Sequence, residues 1–440
     1  MSYTKRLIDR EKALGRPIRV GLVGAGQMGL GFIAQVARIP GMEVSAVADL
    51  QPGRAEEALR KSGADPVAGS DLADLGRIIE AGGSVAVEDA LLLVNLPVDV
   101  IVDASGVPEV GAQVAFQGLL AGKDIALLNV ECDVTVGYVL AAIAKQCGRI
   151  YTVCRGDEPA EAKRLVDFAR DLAFEVVCAG KGKNNPLNPH ATPADLTEEA
   201  VAKHMNPKML CSFVDGSKAM IEMASLANTT GLEVSVRGMY GPPSTVEKLS
   251  STFRPVADGG VLDRPGVVDY CTGPVAPGVF AIVKTDDPIV HAEMSYLKMG
   301  DGPYFTLYRP YHLASIEAPL TVSEAVLDRV PSLAPTHWNA EVVAAAKRDL
   351  KAGDVIDGIG GATVYGVIES ASATREQDLV PLGLLEGARL VRDVPIDGVI
   401  TAGDVELRPG TTIAALRQLQ EKLLSGMPLP SSIPASSNAA

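Results

Sequence analysis

Residues 180 to 188 read Gly-Lys-Gly-Lys-Asn-Asn-Pro-Leu-Asn, with two lysines, three amides and no acid. Ammonium and backbone N–H groups gathered in this way hold phosphate or carboxylate. Lys181, Asn184 and Asn185 are therefore candidate substrate contacts, and Lys183 is a candidate catalytic group. A solvated turn is the plainer alternative. Further on, residues 209 to 227 predict one helix, on which Asp215, Lys218 and Glu222 stand at i, i+3 and i+7 and share a face. Small and apolar neighbours would partly bury that stripe, and burial beside charged partners shifts pKa values into a useful range. An exposed salt-bridge ladder is the competing reading. Residues 299 to 313 collect four aromatics around Arg309 and His312 in a chain that is only 4% aromatic. That clustering makes both candidate substrate contacts, although a lone histidine is more often structural.

Redox chemistry would enter through the first fifty residues. Ile18 to Val23 is a short apolar run with β-branched residues, read as a buried strand. Gly24, Gly26 and Gly29 follow with GxGxxG spacing: one glycine for the tight turn, one for close approach of a pyrophosphate, one for helix–strand packing. The helix opening near Gln27 would turn its N–H groups and dipole toward the phosphates. The strand read over Val44 to Ala48 ends at Asp49, where an acid holds the ribose hydroxyls of NAD. Gly24, Ala25, Gly26, Gln27, Met28 and Asp49 are thus candidate cofactor contacts. Asp49 repels a 2′-phosphate and favours NAD, while Arg54 close by keeps NADP open. A glycine-rich turn with no ligand is the alternative. Ser105 and Gly106, at the carboxyl end of a strand over 98 to 102, leave room for the same cofactor, and Glu131 faces that crevice from the end of the next strand.

The elements that must position these groups are those of an α/β protein. Hydrophobic residues make up 47% of the 440, rich in Ala, Val, Leu and Ile, as a sheet covered on both faces requires. A net charge of −14 with no basic stripe argues against nucleic acid as a partner. No apolar run is long enough to span a bilayer, and the charged first residues form no signal peptide. Six cysteines without a Cys-x-x-Cys pair are expected to be reduced thiols of a cytoplasmic protein. The expected layout is a Rossmann dinucleotide-binding domain over 1–155, an α+β substrate and dimerisation domain over 156–344, a small β-rich module over 345–425 and a disordered tail over 426–440. Residues 314 to 328 predict a helix that packs back on the first domain.

Three resemblances follow from quoted motifs. Gly-Leu-Val-Gly-Ala-Gly-Gln-Met-Gly at 21–29, with the layout to about 330, resembles homoserine dehydrogenase. Arg348-Asp-Leu-Lys-Ala-Gly-Asp-Val and Ile400-Thr-Ala-Gly-Asp-Val look like a SAF (β-clip) domain. The combination is most similar to the 1-deoxy-D-xylulose-5-phosphate reductoisomerase-like proteins, through Gly106-Val-Pro-Glu-Val-Gly, Asn129-Val-Glu-Cys-Asp-Val-Thr-Val-Gly, Gly156-Asp-Glu-Pro, the 179–188 loop, Asp215-Gly-Ser-Lys and Lys298-Met-Gly-Asp-Gly-Pro-Tyr-Phe. That resemblance implies an NAD(P)-dependent oxidoreductase, at least dimeric, acting on a small phosphorylated or acidic sugar-type substrate and giving 2-C-methyl-D-erythritol 4-phosphate. An isomerising step would want Mg2+ or Mn2+ on its enediolate, with Asp157 and Glu158 as ligands. Homoserine dehydrogenases keep an Asp and a downstream Lys where this chain has Lys218 and Glu222, so the charges are exchanged. An NAD-linked catabolic sugar-acid dehydrogenase or oxidoisomerase, or homoserine dehydrogenase itself, is the alternative, and a dinucleotide-binding sensor or scaffold is the alternative of another class.

Overall fold

The computed structural model describes residues 2–203 and 205–426, so the tail expected to be disordered lies almost wholly outside the described residues. The first unit is a seven-stranded parallel sheet of β1 (Ile18–Val23), β2 (Met42–Ala48), β3 (Val67–Ala68), β4 (Val85–Val87), β5 (Val100–Asp103), β6 (Asp124–Leu127) and β7 (Tyr151–Val153). Its order is β3-β4-β2-β1-β5-β6-β7. Apart from the two-residue edge strand β3, that is the doubly wound dinucleotide order, with the topological switch between β1 and β5. Central strands such as β1 are buried along their whole length, as a sheet covered on both faces demands.

Register decides what this sheet can do. Val23 pairs with Ala48 on one side and Asp103 on the other, Asp103 with Leu127, and Leu127 with Val153. The strands therefore stop in line. Everything that follows them, from Gly24 and Asp49 to Ala104, Leu128 and Cys154, emerges along one edge.

The second sheet holds β8 (Glu175–Gly182), β9 (Glu233–Val234), β10 (Val267–Cys271), β11 (Val279–Lys284) and β12 (Tyr304–Arg309) in the order β12-β11-β8-β10-β9. β8 runs parallel to β10 and antiparallel to β11. Its alternation puts Lys181 and Lys183 on one face. The intervening glycines are imposed by the other face: a Cβ on Gly180 would lie 1.8 Å from the Asp269 carbonyl oxygen, and one on Gly182 would lie 2.2 Å from the Ala276 nitrogen. The Gly-Lys-Gly-Lys repeat is thus tight backbone packing on one side and two ammonium groups on the other.

The third unit pairs β13 (Ala340–Ala346) with β14 (Val364–Ser370) and β15 (Arg389–Leu390) with β16 (Val405–Glu406). Its core is continuous with that of the second sheet. The final helix, Thr412–Leu424, leaves this unit and packs on the helices Pro108–Leu120 and Val130–Cys147 of the first. The segment 314–328 also returns to the first unit, as its sequence suggests. It does so as a short turn, the helix Ala318–Ser323 and one wide turn over Glu324–Asp328, with Ala318 and Val322 in the first unit's core.

One expected element is two. The helix read over 209–227 is broken into Pro207–Val214 and Ser217–Thr230. The break is Asp215-Gly216, where Gly216 takes φ +90 and a side chain would be strained. An Asp-Gly pair is a chain-turning signal that the apolar periodicity on either side concealed.

Candidate active site

A cavity of about 330 Å3 lies where the first sheet's carboxyl edge meets β8 and the helices Pro207–Val214 and Ser217–Thr230. The edge supplies Met28, Ser105, Gly106, Glu131, Asp157 and Glu158, β8 and its loop supply Lys181, Lys183, Asn184 and Asn185, the helix Ser217–Thr230 supplies Lys218 and Glu222, and His312 comes from beyond β12. The helix Pro207–Val214 covers it with Met209, Leu210, Ser212 and Phe213.

The loop after β5 is fixed from beneath. Asp103 accepts from the Ser105 amide and the Asn129 side chain, each at 2.9 Å, and Asn129 also donates to the Val107 carbonyl at 2.9 Å. Asn129 in turn caps the helix that begins at Val130, placing Glu131 in its first turn. On the other side of the switch point, a Cβ on Gly24 would sit 2.8 Å from the Ala104 carbonyl oxygen and one on Gly29 would sit 1.9 Å from the Gly24 carbonyl oxygen. Gly26 differs: the nearest atom is an Arg54 guanidinium nitrogen at 3.6 Å. The protein leaves Gly26 open, as a site approached by a pyrophosphate requires. Asp49 braces the loop by accepting from the Ala25 amide at 2.8 Å, and from Gln51 at 2.9 Å. A second hollow of about 330 Å3 lies along Ala25, Gly26, Gln27, Leu30, Arg54 and Lys61. Met28, one residue on, belongs to the main cavity, so a ligand spanning both would run over the start of the helix Gln27–Val36.

Buried charge dominates the cavity. The Lys181 ammonium donates to Glu158 at 2.5 Å and also to Glu222. Lys218 donates to Glu131 at 2.9 Å. His312 donates from Nδ1 to the Gly156 carbonyl at 3.0 Å, which leaves Nε2 at 3.3 Å from Glu158. Lys183 donates to the carbonyls of Asn185 at 2.7 Å and Phe213 at 2.8 Å, so one of its three donors is left for a ligand.

Burial pushes the Glu222 carboxyl up to about 7, helped by the charge of Glu158. Burial lowers Lys183 to about 8, helped by the neighbouring Lys181. Burial also holds Asp157 well above its ordinary range. Burial opposes the charge of Glu158 too, but Lys181 and His312 outweigh it and hold that carboxyl down. Burial likewise opposes Lys181 and Lys218, whose acid partners keep both firmly protonated. The site therefore holds two permanent cations and two groups poised near neutrality.

Two expected residues stand elsewhere. Asp215 does not line the cavity or orient Lys218, because the Gly216 break turns it toward Lys347 of the third unit at 2.8 Å. Arg309 lies in a network with Glu161 and Glu317, the latter at 2.7 Å, and does not reach the cavity. Glu161 from a distant segment and Glu317, eight residues on, claim it. Asp157 and Glu158 are joined by Glu222, the three carboxylates lying within 4.8 Å of one another. Lys181 already bonds two of the three, standing where a divalent cation would sit, so the donor set does not fit Mg2+ or Mn2+ as arranged. The cover residues Met209 and Phe213 were legible only as helix; apolar side chains over a charged site look like core filler in sequence.

Residues 156–318 match the family model described as Oxidoreductase DRL, catalytic domain, and residues 341–406 match the SAF domain. The chain is an oxidoreductase with a SAF domain toward its end. No curated protein sequence matches it. Among solved structures it is similar to a probable dehydrogenase from Thermotoga maritima, at 15% identity over 73% of this chain and 91% of that one, with a TM-score of 0.40. It is also similar to a scyllo-inositol dehydrogenase from Lactobacillus casei with bound NAD(H) and scyllo-inositol, at 14% identity over 67% and 76%, with a TM-score of 0.38. Likenesses this distant carry neither a substrate nor a cofactor to this chain. Among the described residues, no helix is long and apolar enough to cross a membrane.

Proposed function

We propose that this oxidoreductase moves a hydride between a nicotinamide dinucleotide and the carbonyl or alcohol carbon of a small hydroxylated compound bearing phosphate or carboxylate. The observation that carries it is the pairing of the open Gly26 hollow with a cavity lined by four lysines, Lys181, Lys183, Lys203 and Lys218, of which buried Lys181 and Lys218 are held firmly protonated by acid partners. The cofactor supplies the hydride; the chain supplies position and charge. Lys218, steadied by Glu131, and Lys181, steadied by Glu158 and Glu222, place positive charge where a carbonyl oxygen gains negative charge. Lys183 delivers the proton to that oxygen in reduction and takes it back in oxidation. Asn184 and Asn185 offer amides to hydroxyl groups.

The first substrate to offer is 1-deoxy-D-xylulose 5-phosphate, the one implied by the reductoisomerase-like resemblance. A second reading, NAD-linked oxidation of a branched or phosphorylated sugar acid, is favoured by Asp49 at the end of β2. The test is a hydride-transfer assay with purified protein, following reduced cofactor, with NADPH and NADH and then with NAD and sugar acids. Turnover of the first substrate supports the reductoisomerase reading. Turnover of sugar acids alone moves the assignment to the second. Tight dinucleotide binding without any turnover would replace both with a sensor. Because Lys181 fills the place of a cation, activity is expected to survive EDTA; a strict need for Mg2+ or Mn2+ would show that Lys181 swings away.

A further inference from the structure

The SAF unit carries a buried lysine that does no chemistry in the cavity yet grips both segments that shape it. Lys347 follows β13 and is 3% exposed. Its ammonium donates to Asp215 (2.8 Å), to the Ala191 carbonyl (2.7 Å) and to the Gly361 carbonyl (2.6 Å), with the Cys211 sulfur at 3.2 Å. Three donors meet three oxygen acceptors, so nothing remains for a substrate. The acceptors belong to different segments. Ala191 lies in the loop after β8, Asp215 closes the cover helix Pro207–Val214, and Gly361 belongs to the SAF unit itself.

The same two segments hold Lys183. One of its carbonyl partners, Asn185, is in the loop after β8, and the other, Phe213, is in the cover helix. The SAF unit grips the helix at a second point. Lys208 donates to the Asp357 carbonyl at 2.6 Å and reaches Glu386 at 3.3 Å, and a Cβ on Gly360 would lie 2.0 Å from the Lys208 carbonyl oxygen.

We infer that Lys347 is a positioning residue: through Asp215 and Ala191 the SAF unit clamps the cover helix and the β8 loop together, and so fixes the Lys183 ammonium between their carbonyls in the wall of the cavity. This rests on the proposed role of Lys183 only for its effect on turnover. The clamp itself is independent of what the substrate is. The charged groups facing Lys183 are Lys181 on its own strand, Asp215 at the end of the cover helix and Glu222 on the helix after it. Loosening the clamp admits water to Lys183 and returns it toward the ordinary lysine range.

The test uses the full chain carrying Lys347→Met with Asp215→Asn, so that no buried carboxylate is left unpaired. Trace acetylation with acetic anhydride across pH, read by mass spectrometry, gives the titration midpoint of Lys183 whether or not a substrate is known. The expected result is a midpoint that moves up from near 8, unchanged dinucleotide affinity, and kcat lowered about 10- to 100-fold, as a misplaced group at a reacting centre costs. An unmoved midpoint with intact dinucleotide binding overturns the clamp. A moved midpoint with no turnover in the wild-type chain keeps the clamp and sinks the catalytic reading of Lys183. Lys208→Ala, at a half-exposed side chain, is expected to move the midpoint in the same direction by less. No movement there would also count against the clamp.

Discussion

Two side chains in the cavity titrate near neutrality, and their signs oppose each other. Lys183 is lowered to about 8 by burial and then by Lys181, and in the proposed reduction it carries the proton to the carbonyl oxygen. Glu222, raised to about 7 by burial and then by Glu158, must be ionised to keep Lys181 in place. In the direction of reduction, kcat/KM is therefore expected to rise through about pH 7 and fall past about pH 8, a narrow optimum that reports the free enzyme. In the direction of oxidation Lys183 must first lose its proton, so the limb near 8 reverses and the rate rises through it. Lys183→Met is expected to remove that limb and cost about 10^2- to 10^4-fold in kcat/KM, and Glu222→Gln to remove the acid limb. A pH profile of Lys183→Met that keeps the wild-type alkaline limb would take the proton transfer away from this residue.

At the scale of elements, the glycine loop offers a clean contrast. Gly29→Ala drives a Cβ into the Gly24 carbonyl and is expected to destabilise the first unit, seen as a lowered melting temperature. Gly26→Ala makes only an ordinary contact with the Arg54 guanidinium at 3.6 Å and is expected to leave melting unchanged while weakening dinucleotide binding in a fluorescence titration. Equal effects from both would mean that no pyrophosphate passes Gly26. This loop was legible in sequence because strand, turn, helix and terminal acid are local and contiguous. The 180–188 stretch was legible by its density of ammonium and amide groups, but not as a strand: β8 runs on through Lys181 to Gly182, and its alternation is what gives Lys181 and Lys183 one face. Asp215 and Arg309 were not legible, because Lys347 and Glu161 come from segments far away in the chain, and Glu317, though only eight residues past Arg309, lies beyond an irregular stretch that no periodicity spans. The stripe of Asp215, Lys218 and Glu222 failed at one backbone position, Gly216, where a left-handed residue ended one helix and began another. Lys218 and Glu222, past the break, stay on the face that periodicity assigned to them.

The whole molecule is closed by an element whose sequence places it with the SAF unit. The helix Thr412–Leu424 begins on Glu109, whose two carboxylate oxygens accept from the Thr412 and Ile413 amides at 2.9 Å each. Such a carboxylate satisfies the orphan donors of a helix start and suits its dipole. Ile413 and Leu416 enter the core of the first unit. The Gln420 side chain accepts from the Val139 amide at 3.1 Å and donates to the Thr135 carbonyl at 3.3 Å, both on the helix Val130–Cys147 that starts beside the cavity. Arg417 meets Glu341 of β13 at 2.7 Å and lies 5.0 Å from the ring of Trp338, the chain's one tryptophan. The helix thus ties the first and third units together from outside the cavity. Ending the chain at residue 410 is expected to lose about 1.5–3 kcal/mol for each of the two buried apolar side chains. It also leaves Glu341 buried without its cation, a loss of about 3–5 kcal/mol. Trp338 fluorescence reads the change directly, because removing Arg417 from its ring admits water and shifts emission to the red. Adding Glu341→Gln to the shortened chain is expected to recover part of the stability without restoring the emission. An unshifted Trp338 and an unchanged melting temperature in the shortened chain would show that the units hold together without this helix.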